Sequence, residues 1–170
     1  MLHNVFKTYA IIGGMKVAVV GGGIFGLTIA SVLGKEGFKV DVFEKASEVF
    51  MGASGKNQFR LHRGYHYPRS KETIMECIKG EEEFRKYYPE VVIDSPHIHY
   101  YAVAKNKSFL NSDECSKVFS ELSLEHEESR LEVLNYEHIE KCFRVKESMI
   151  DPIAFKQLCL DRCKRYGVNI

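Results

Sequence analysis

The chain has 170 residues, 45% of them hydrophobic and 28% charged, with 24 Lys and Arg against 23 Asp and Glu. That length predicts one domain, or one domain and part of a second, and the composition predicts a soluble globular protein. A net charge of +1 excludes a global field that would draw the chain to nucleic acid or to an anionic membrane surface.

In chain order, residues 1–14 read as a lead-in segment, with Met15 as a natural first residue and Ile11 and Ile12 able to pack beside a sheet. The apolar run Val17-Ala18-Val19-Val20 predicts a strand. Gly21-Gly22-Gly23-Ile24-Phe25-Gly26 follows it directly, and a helix is expected next, with Ala30 and Leu33 facing inward and Gly37 ending it. A second run, Val40-Asp41-Val42-Phe43, predicts another strand ending on Glu44, 23 positions beyond Gly21. Strand, GxGxxG turn, helix, strand and terminal acid together make a dinucleotide-binding βαβ pattern. In it, Gly21 permits the tight turn, Gly23 lets the backbone approach a pyrophosphate and Gly26 lets helix and strand pack closely. The helix N-terminus at Ile24 and Phe25 offers N–H groups to phosphates. Glu44, with Lys45 beside it, is placed for an adenosine ribose. The uncharged stretch from Val17 to Leu33 contains four glycines and is shorter than the ~20 apolar residues a membrane span needs. It is therefore expected to be a strand covered on both faces, followed by its helix.

Ala46 to Gly55 reads as a loop of small residues. Lys56 to Lys71 then carries five cations, two histidines and no acid. Ser70 is a candidate cap for a helix whose apolar positions Ile74, Cys77, Ile78, Phe84, Tyr87 and Tyr88 keep a helical period, interrupted at Glu81 and ended by Pro89. Ile98 to Ala104 predicts a strand, and Ser112 to Leu122 an amphipathic helix with Cys115, Val118, Phe119 and Leu122 on one face. Glu121 to Glu140, with seven acids and one arginine, predicts a solvated face. Asp151 and Pro152 open a last helix with Phe155, Leu158, Cys159, Cys163 and Tyr166 inward. Gly167 closes it, and Val168-Asn169-Ile170 starts a further strand. The five cysteines form no CxxC pair, which predicts reduced thiols and a cytoplasmic setting. Cys159 and Cys163 read as small core residues on one helix face.

Gly21 to Glu44, then Gly52-Ala53-Ser54-Gly55, Asn57 and His62-Arg63-Gly64-Tyr65-His66-Tyr67-Pro68 resemble the D-amino-acid-oxidase-like superfamily of FAD-dependent oxidoreductases. Within it the resemblance is nearest to the branch of L-2-hydroxyglutarate oxidases, which carries Asn-Ser-Gly-x-x-His-Ala-Gly-x-Tyr-Tyr-x-Pro after its βαβ fingerprint. Asn57, His62, Gly64, Tyr67 and Pro68 follow that segment; Gln58, Phe59, Arg63 and His66 depart from it, so the branch's substrate is not carried over. The resemblance runs from Met15 to Ile170. It implies an α/β fold: a Rossmann-like FAD-binding βαβ domain with part of an α+β substrate domain, truncated at the C-terminus. The expected division is a lead-in over 1–14, the first part of the FAD-binding domain over 15–96, a partial substrate domain over 97–150 and a helix returning to the FAD-binding sheet over 151–170. Family members are longer, so this chain resembles their N-terminal portion, and a complementing C-terminal chain is an expected partner.

The resemblance implies FAD as cofactor and hydride transfer to it from a carbon bearing an amine or hydroxyl. Ser54, Asn57 and Gln58 are then flavin-side hydrogen-bonding residues. In the basic segment, Arg60 and Arg63 (with Arg69) are candidates for holding an anionic small-molecule substrate, because a planar guanidinium fork suits a carboxylate. His62 is the candidate proton relay, and Tyr67, with Tyr65, the candidate wall of the site. An NAD-dependent dehydrogenase also suits the fingerprint and Glu44, although the loop after the second strand runs into a His-x-Gly-x-x-Tyr segment where such enzymes turn into a helix. A catalytically inactive nucleotide-binding fragment is a further alternative. A nucleic-acid module built on Lys56 to Lys71 is not expected at near-zero net charge. No metal site is expected either, since the pairs His62/His66 and His97/His99 lack an identifiable third ligand.

Overall fold

A computed structural model describes residues 14–94 and 99–170; the lead-in over 1–13 lies outside them. The chain forms two compact units, one of residues through Gln58 together with Pro152–Ile170, the other of Phe59–Asp151. The boundary expected between Pro96 and His97 lies outside the described residues, and the units part instead at Gln58/Phe59 and Asp151/Pro152.

In the first unit, β1 (Lys16–Val20) pairs in parallel with β2 (Lys39–Phe43), in the register Val17 to Val40 and Val19 to Val42. The helix α1 (Ile24–Lys35) connects them. Beyond β2, Asn169 forms a parallel bridge to Asp41, its N–H donating to Val40 O and its carbonyl accepting from Val42 N–H. The predicted last strand therefore adds on the far side of β2 from β1. The C-terminal helix α4 (Pro152–Arg165), fourth in chain order, packs on α1. A Cβ at Gly34 would meet Tyr166 O at 2.9 Å, which measures how close the chains come. The core holds Leu27, Ala30, Val40, Val42, Phe50, Phe155, Cys159 and Cys163, with Phe50 and Phe155 edge to face at 5.9 Å.

One expectation is corrected here. The apolar composition of Val17–Val20 predicts burial on both faces, but β1 alternates, with Val17 and Val19 half-buried and Ala18 and Val20 exposed. Among the described residues both packed helices serve the Val17/Val19/Val40/Val42 side, so period-two alternation decides which side chains are covered. Leu33, expected inward beside Ala30, is half-buried.

The second unit joins two antiparallel sheets and two helices. β3 (Arg60–Leu61) and β4 (Val92–Ile93) flank β8 (Ser148–Ile150), while β5 (His99–Ala104) and β6 (His126–Ser129) flank β7 (Ile139–Val145). The helix α2 (Lys71–Tyr87) starts at Ser70, whose hydroxyl accepts from Thr73 N–H, and stops before Pro89. The helix α3 (Ser112–Glu121) begins in a capping box: Asn111 Oδ1 accepts from Glu114 N–H and Glu114 Oε2 from Asn111 N–H. Tyr65, Ile74, Cys115, Phe119, Leu124, Phe143 and Val145 form the core.

Two details differ from the sequence pattern. The acidic run from Glu121 to Glu140 keeps its carboxylates exposed, yet it also builds β6 and the start of β7. Glu81, which breaks the apolar period of α2, is nevertheless buried, because two arginines neutralise it: Arg63 Nε and Arg85 Nη2 each stand 2.9 Å from its carboxylate.

Candidate functional site

The glycine turn of the first unit is organised by Glu44. Gly21 adopts φ of 106°, a conformation side-chain-bearing residues rarely take, and its N–H donates to Phe43 O at 2.8 Å. Gly22 N–H donates to Glu44 Oε2 at 2.7 Å and Ala46 N–H to Glu44 Oε1 at 2.8 Å. These N–H donors, Ala46 first, hold the Glu44 carboxyl below the ordinary carboxylate range. Each carboxylate oxygen keeps a second lone pair for an incoming hydroxyl.

At the start of α1 the first intrahelical bond runs from Leu27 N–H to Gly23 O. Ile24 N–H donates to Ser54 Oγ at 3.0 Å. The N–H groups of Phe25 and Gly26 meet no acceptor among the described residues, which is the donor pair a phosphate requires. A Cβ at Gly26 would lie 1.9 Å from Gly21 O, a main-chain atom, so that position needs glycine for contact rather than for φ; one at Gly23 would lie 2.9 Å from Ser54 Oγ and would displace that hydroxyl. On the other side of Glu44 lies a depression of about 330 Å³ lined by Phe43, Ala46, Ser47, Val49 and Ile170 among others. Donors for phosphate, an acceptor for ribose and an adjoining recess form in one unit the set that the ADP half of a dinucleotide needs. Lys45 is exposed and does not line this recess. Phe25 contributes its N–H, while its side chain points into solvent. Asn57 and Gln58 are exposed, with Asn57 Nδ2 donating to Ala53 O at 3.1 Å across the loop.

The second unit gathers the basic segment around a carboxylate that composition did not single out. Glu147 has a side chain without solvent access. It accepts from Arg60 Nη2 at 2.5 Å, from the Arg63 N–H at 2.9 Å and from Tyr101 Oη at 2.9 Å. The Arg60 guanidinium also lies 4.6 Å over the Tyr101 ring. Arg63 Nε faces Glu81 at 2.9 Å, off the direction of its N–H, and Arg85 spans Glu81 and Asp94. The three arginines therefore meet three carboxylates, and Arg60 and Arg63 are held inside the unit by ion pairs. His62 stands with Nδ1 4.0 Å from Glu147 Oε1 and its ring 4.6 Å from that of His66. Burial holds both histidines below the usual imidazole range, which leaves them neutral at pH 7. Tyr67 is partly exposed and touches His66, with ring centroids 4.0 Å apart. Tyr65, expected as a wall, is buried, and its hydroxyl donates to Glu125 O at 2.6 Å. Burial raises the Tyr65 hydroxyl to about 12.

Comparison with known proteins fits this geometry. The FAD dependent oxidoreductase family, DAO, matches residues 16–170. The chain belongs to that family.

The FAD-dependent monooxygenase kojA of Aspergillus flavus is 43% identical over 79 residues, which cover 46% of this chain and 18% of that protein. FAD-dependent monooxygenase FPY4 of Fusarium mangiferae is 38% identical over 96 residues, 56% of this chain and 26% of that protein. Glycine oxidase from Geobacillus kaustophilus superposes with a TM-score of 0.65 at 15% identity, over 92% of this chain and 46% of that one. L-proline dehydrogenase from P. horikoshii gives 0.63 at 16% identity, over 92% and 43%. The chain thus spans less than half the length of these relatives and structures. Family membership decides between the two cofactors that the glycine turn allows in favour of FAD, without singling out the L-2-hydroxyglutarate oxidase branch. No described helix is long and apolar enough to cross a membrane.

Glu147, Tyr101 and Glu81 are the residues that reading along the chain misses. A signal for Glu147 does exist: it continues the inward alternation of Phe143 and Val145 just past β7. An acid at an inward position, in a chain with an acid-free cationic segment elsewhere, marks a buried ion pair.

Proposed function

We propose that the first unit binds the ADP half of FAD, with the pyrophosphate on the Phe25 and Gly26 N–H groups, the ribose on Glu44 and the adenine in the recess beside Phe43 and Ile170. The observation that carries this reading is the Gly22–Glu44–Ala46 hydrogen-bond set beside the open helix start. When bound, the flavin supplies the electron acceptor for hydride removed from a carbon bearing an amine or hydroxyl in a small molecule. Glycine oxidase and L-proline dehydrogenase, as neighbours in fold, support that substrate chemistry.

Within the second unit, His62 takes up or releases a proton, its neutral state at pH 7 fitting it to act as a base. Tyr67 orients and covers that ring pair. Arg60 and Arg63, expected to hold a substrate anion, act instead by fixing the segment that carries His62, since their charge is spent on Glu147 and Glu81. Ser54 tethers the loop to α1, and Asn57 and Gln58 present hydrogen-bonding groups from that loop. The reduced thiols suit a cytoplasmic setting. Oxidase turnover needs more than this chain, so a complementing chain or the remainder of a longer protein supplies the other flavin contacts. The kojA and FPY4 relatives support a second reading, insertion of oxygen into substrate, which isotope-labelled dioxygen distinguishes by incorporation into product.

Calorimetric titration with ADP and with FAD tests the first part. ADP is expected to bind the chain, and Glu44→Gln to weaken it about tenfold or more, the loss of one good acceptor. Absence of ADP binding, or equal binding by the variant, overturns the assignment. Tight FAD binding with turnover by this chain alone overturns the need for further sequence.

A further inference from the structure

We propose that Glu147 is a positioning residue that decides which ring nitrogen of His62 and of His66 carries hydrogen. Acting directly on His62, and through the Tyr101 hydroxyl on His66, it holds both rings in the Nδ1–H tautomer. Nε2 of His62 is then the atom that takes up a proton. The inference rests on the reading of His62 as the proton-transferring group and goes beyond it by assigning the atom and the residue that selects it.

A carboxylate accepts hydrogen bonds in about four directions. Glu147 Oε2 takes Arg60 Nη2 at 2.5 Å and Tyr101 Oη at 2.9 Å, and Oε1 takes the Arg63 N–H at 2.9 Å. His62 Nδ1 stands 4.0 Å from Oε1, the oxygen that keeps a free direction. That nitrogen is buried and has no hydrogen-bond partner among the described residues. At this distance the ring is oriented by charge rather than held by a bond. A carboxylate attracts an N–H and repels a lone pair, and away from water the difference is large. The opposing charge is Arg60, whose guanidinium is already paired with Glu147; of the two, Glu147 acts more strongly on His62. The hydrogen therefore belongs on Nδ1. The His62 side chain keeps 40% of its surface exposed while Nδ1 is buried, so the open edge of the ring is the Nε2 edge and presents a lone pair.

His66 is fixed through a neighbour. Tyr101 Oη spends its single hydrogen on Glu147 Oε2, so toward His66 Nδ1, 3.5 Å away, its oxygen can only accept. His66 thus carries its hydrogen on Nδ1 as well. Burial, and after it Glu147, push the Tyr101 hydroxyl well above the ordinary phenol range, which keeps it a donor, and the Arg60 guanidinium 4.6 Å over its ring holds it in place. His66 lies nearly parallel to Tyr101 and meets His62 at 4.6 Å between ring centroids, so the rings pack as one block. Free histidine favours hydrogen on Nε2, which would turn the open edge of His62 into a donor and leave no base there. A carboxylate behind the ring reverses that choice.

Nitrogen NMR tests this on the full chain, isotope-labelled at histidine and held at about pH 8, where the rings are neutral. His62→Gln and His66→Gln assign the signals. In the unsubstituted chain, Nδ1 of both rings is expected as N–H and Nε2 as the bare nitrogen. Glu147→Gln, which keeps an acceptor but removes the charge, should move the His62 hydrogen to Nε2. Tyr101→Phe leaves Glu147 facing His62 and should move the hydrogen of His66 alone. A merely structural role does not separate the two rings in this way, and circular dichroism reports the folding of each variant independently. Hydrogen on Nε2 of His62 in the unsubstituted chain overturns the proposal, as do tautomers unchanged in both variants or a Tyr101→Phe chain in which both rings switch together. These spectra need neither flavin nor turnover. Proton transfer itself is read from the loss of turnover in His62→Gln once the flavin contacts are complete, so the two assignments fail independently.

Discussion

Replacing Gly26 with alanine tests the contact on which the glycine turn depends. The added Cβ would sit 1.9 Å from Gly21 O and 3.1 Å from Gly21 C, both main-chain atoms of the turn, and 3.6 Å from Val19 Cγ1. Ordinary contact begins at 3.4 Å, so the start of α1 has to retreat from β1 by about 1.5 Å. Neither atom belongs to a flexible side chain, so the strain is spread over the turn and the helix. Overpacking of this kind costs about 1–3 kcal/mol, and alanine's better helix propensity returns less than about 1 kcal/mol at a first-turn position. The expected net loss is about 1–2 kcal/mol, read from the urea midpoint at unchanged slope. The same retreat moves the Phe25 and Gly26 N–H groups away from the phosphate position, so ADP affinity should fall by more than the stability loss alone explains. Calorimetry on the folded variant measures that separately. Unchanged stability together with unchanged ADP binding would refute the close-packing argument.

Glu147→Ala should cost about 3–5 kcal/mol, because it strands the Arg60 guanidinium, the Arg63 N–H and the Tyr101 hydroxyl in the interior; Glu147→Gln, which keeps an acceptor, should cost less. A thermal midpoint within a few degrees of the unsubstituted chain would contradict this. Gly80→Ala, on the exposed side of α2 with open space around a Cβ, should raise stability by about 0.5–1 kcal/mol in the same urea assay. Stability should decline as pH falls below the ordinary imidazole value of 6.5, since the unfolded chain then binds protons that half-buried His62 and, more weakly, exposed His66 resist. The lowered carboxyls of Glu44 and Asp94 extend that decline below their own ordinary values of 4.5 and 3.8. Urea midpoints that stay level between about pH 7.5 and pH 5 would contradict the histidine part, and His62→Gln should shrink it.

The nucleotide-binding start of this protein was legible in its sequence because its determinants are local. Gly21, Gly26 and Glu44 act on one another across fewer than 25 positions, and each has a conformational or steric reason to be the residue it is. The same holds for helix ends: Ser70 before α2, Asn111 with Glu114 before α3, and Pro152 opening α4 all act within one turn. The strands β3, β4 and β8, two or three residues long, leave no period to read, and β6 and β7 are hidden by charges on their solvent side. What the cations of the basic segment do was decided by tertiary structure alone. Arg60 meets Glu147 across 87 positions and Arg63 meets Glu81, so residues that by type suit a substrate anion become buried structural pairs, while Arg69 in the same run stays uncompensated. A guanidinium's role depends on which carboxylate the fold brings within about 3 Å, and hydrophobic periodicity carries no information about pairing at that sequence separation.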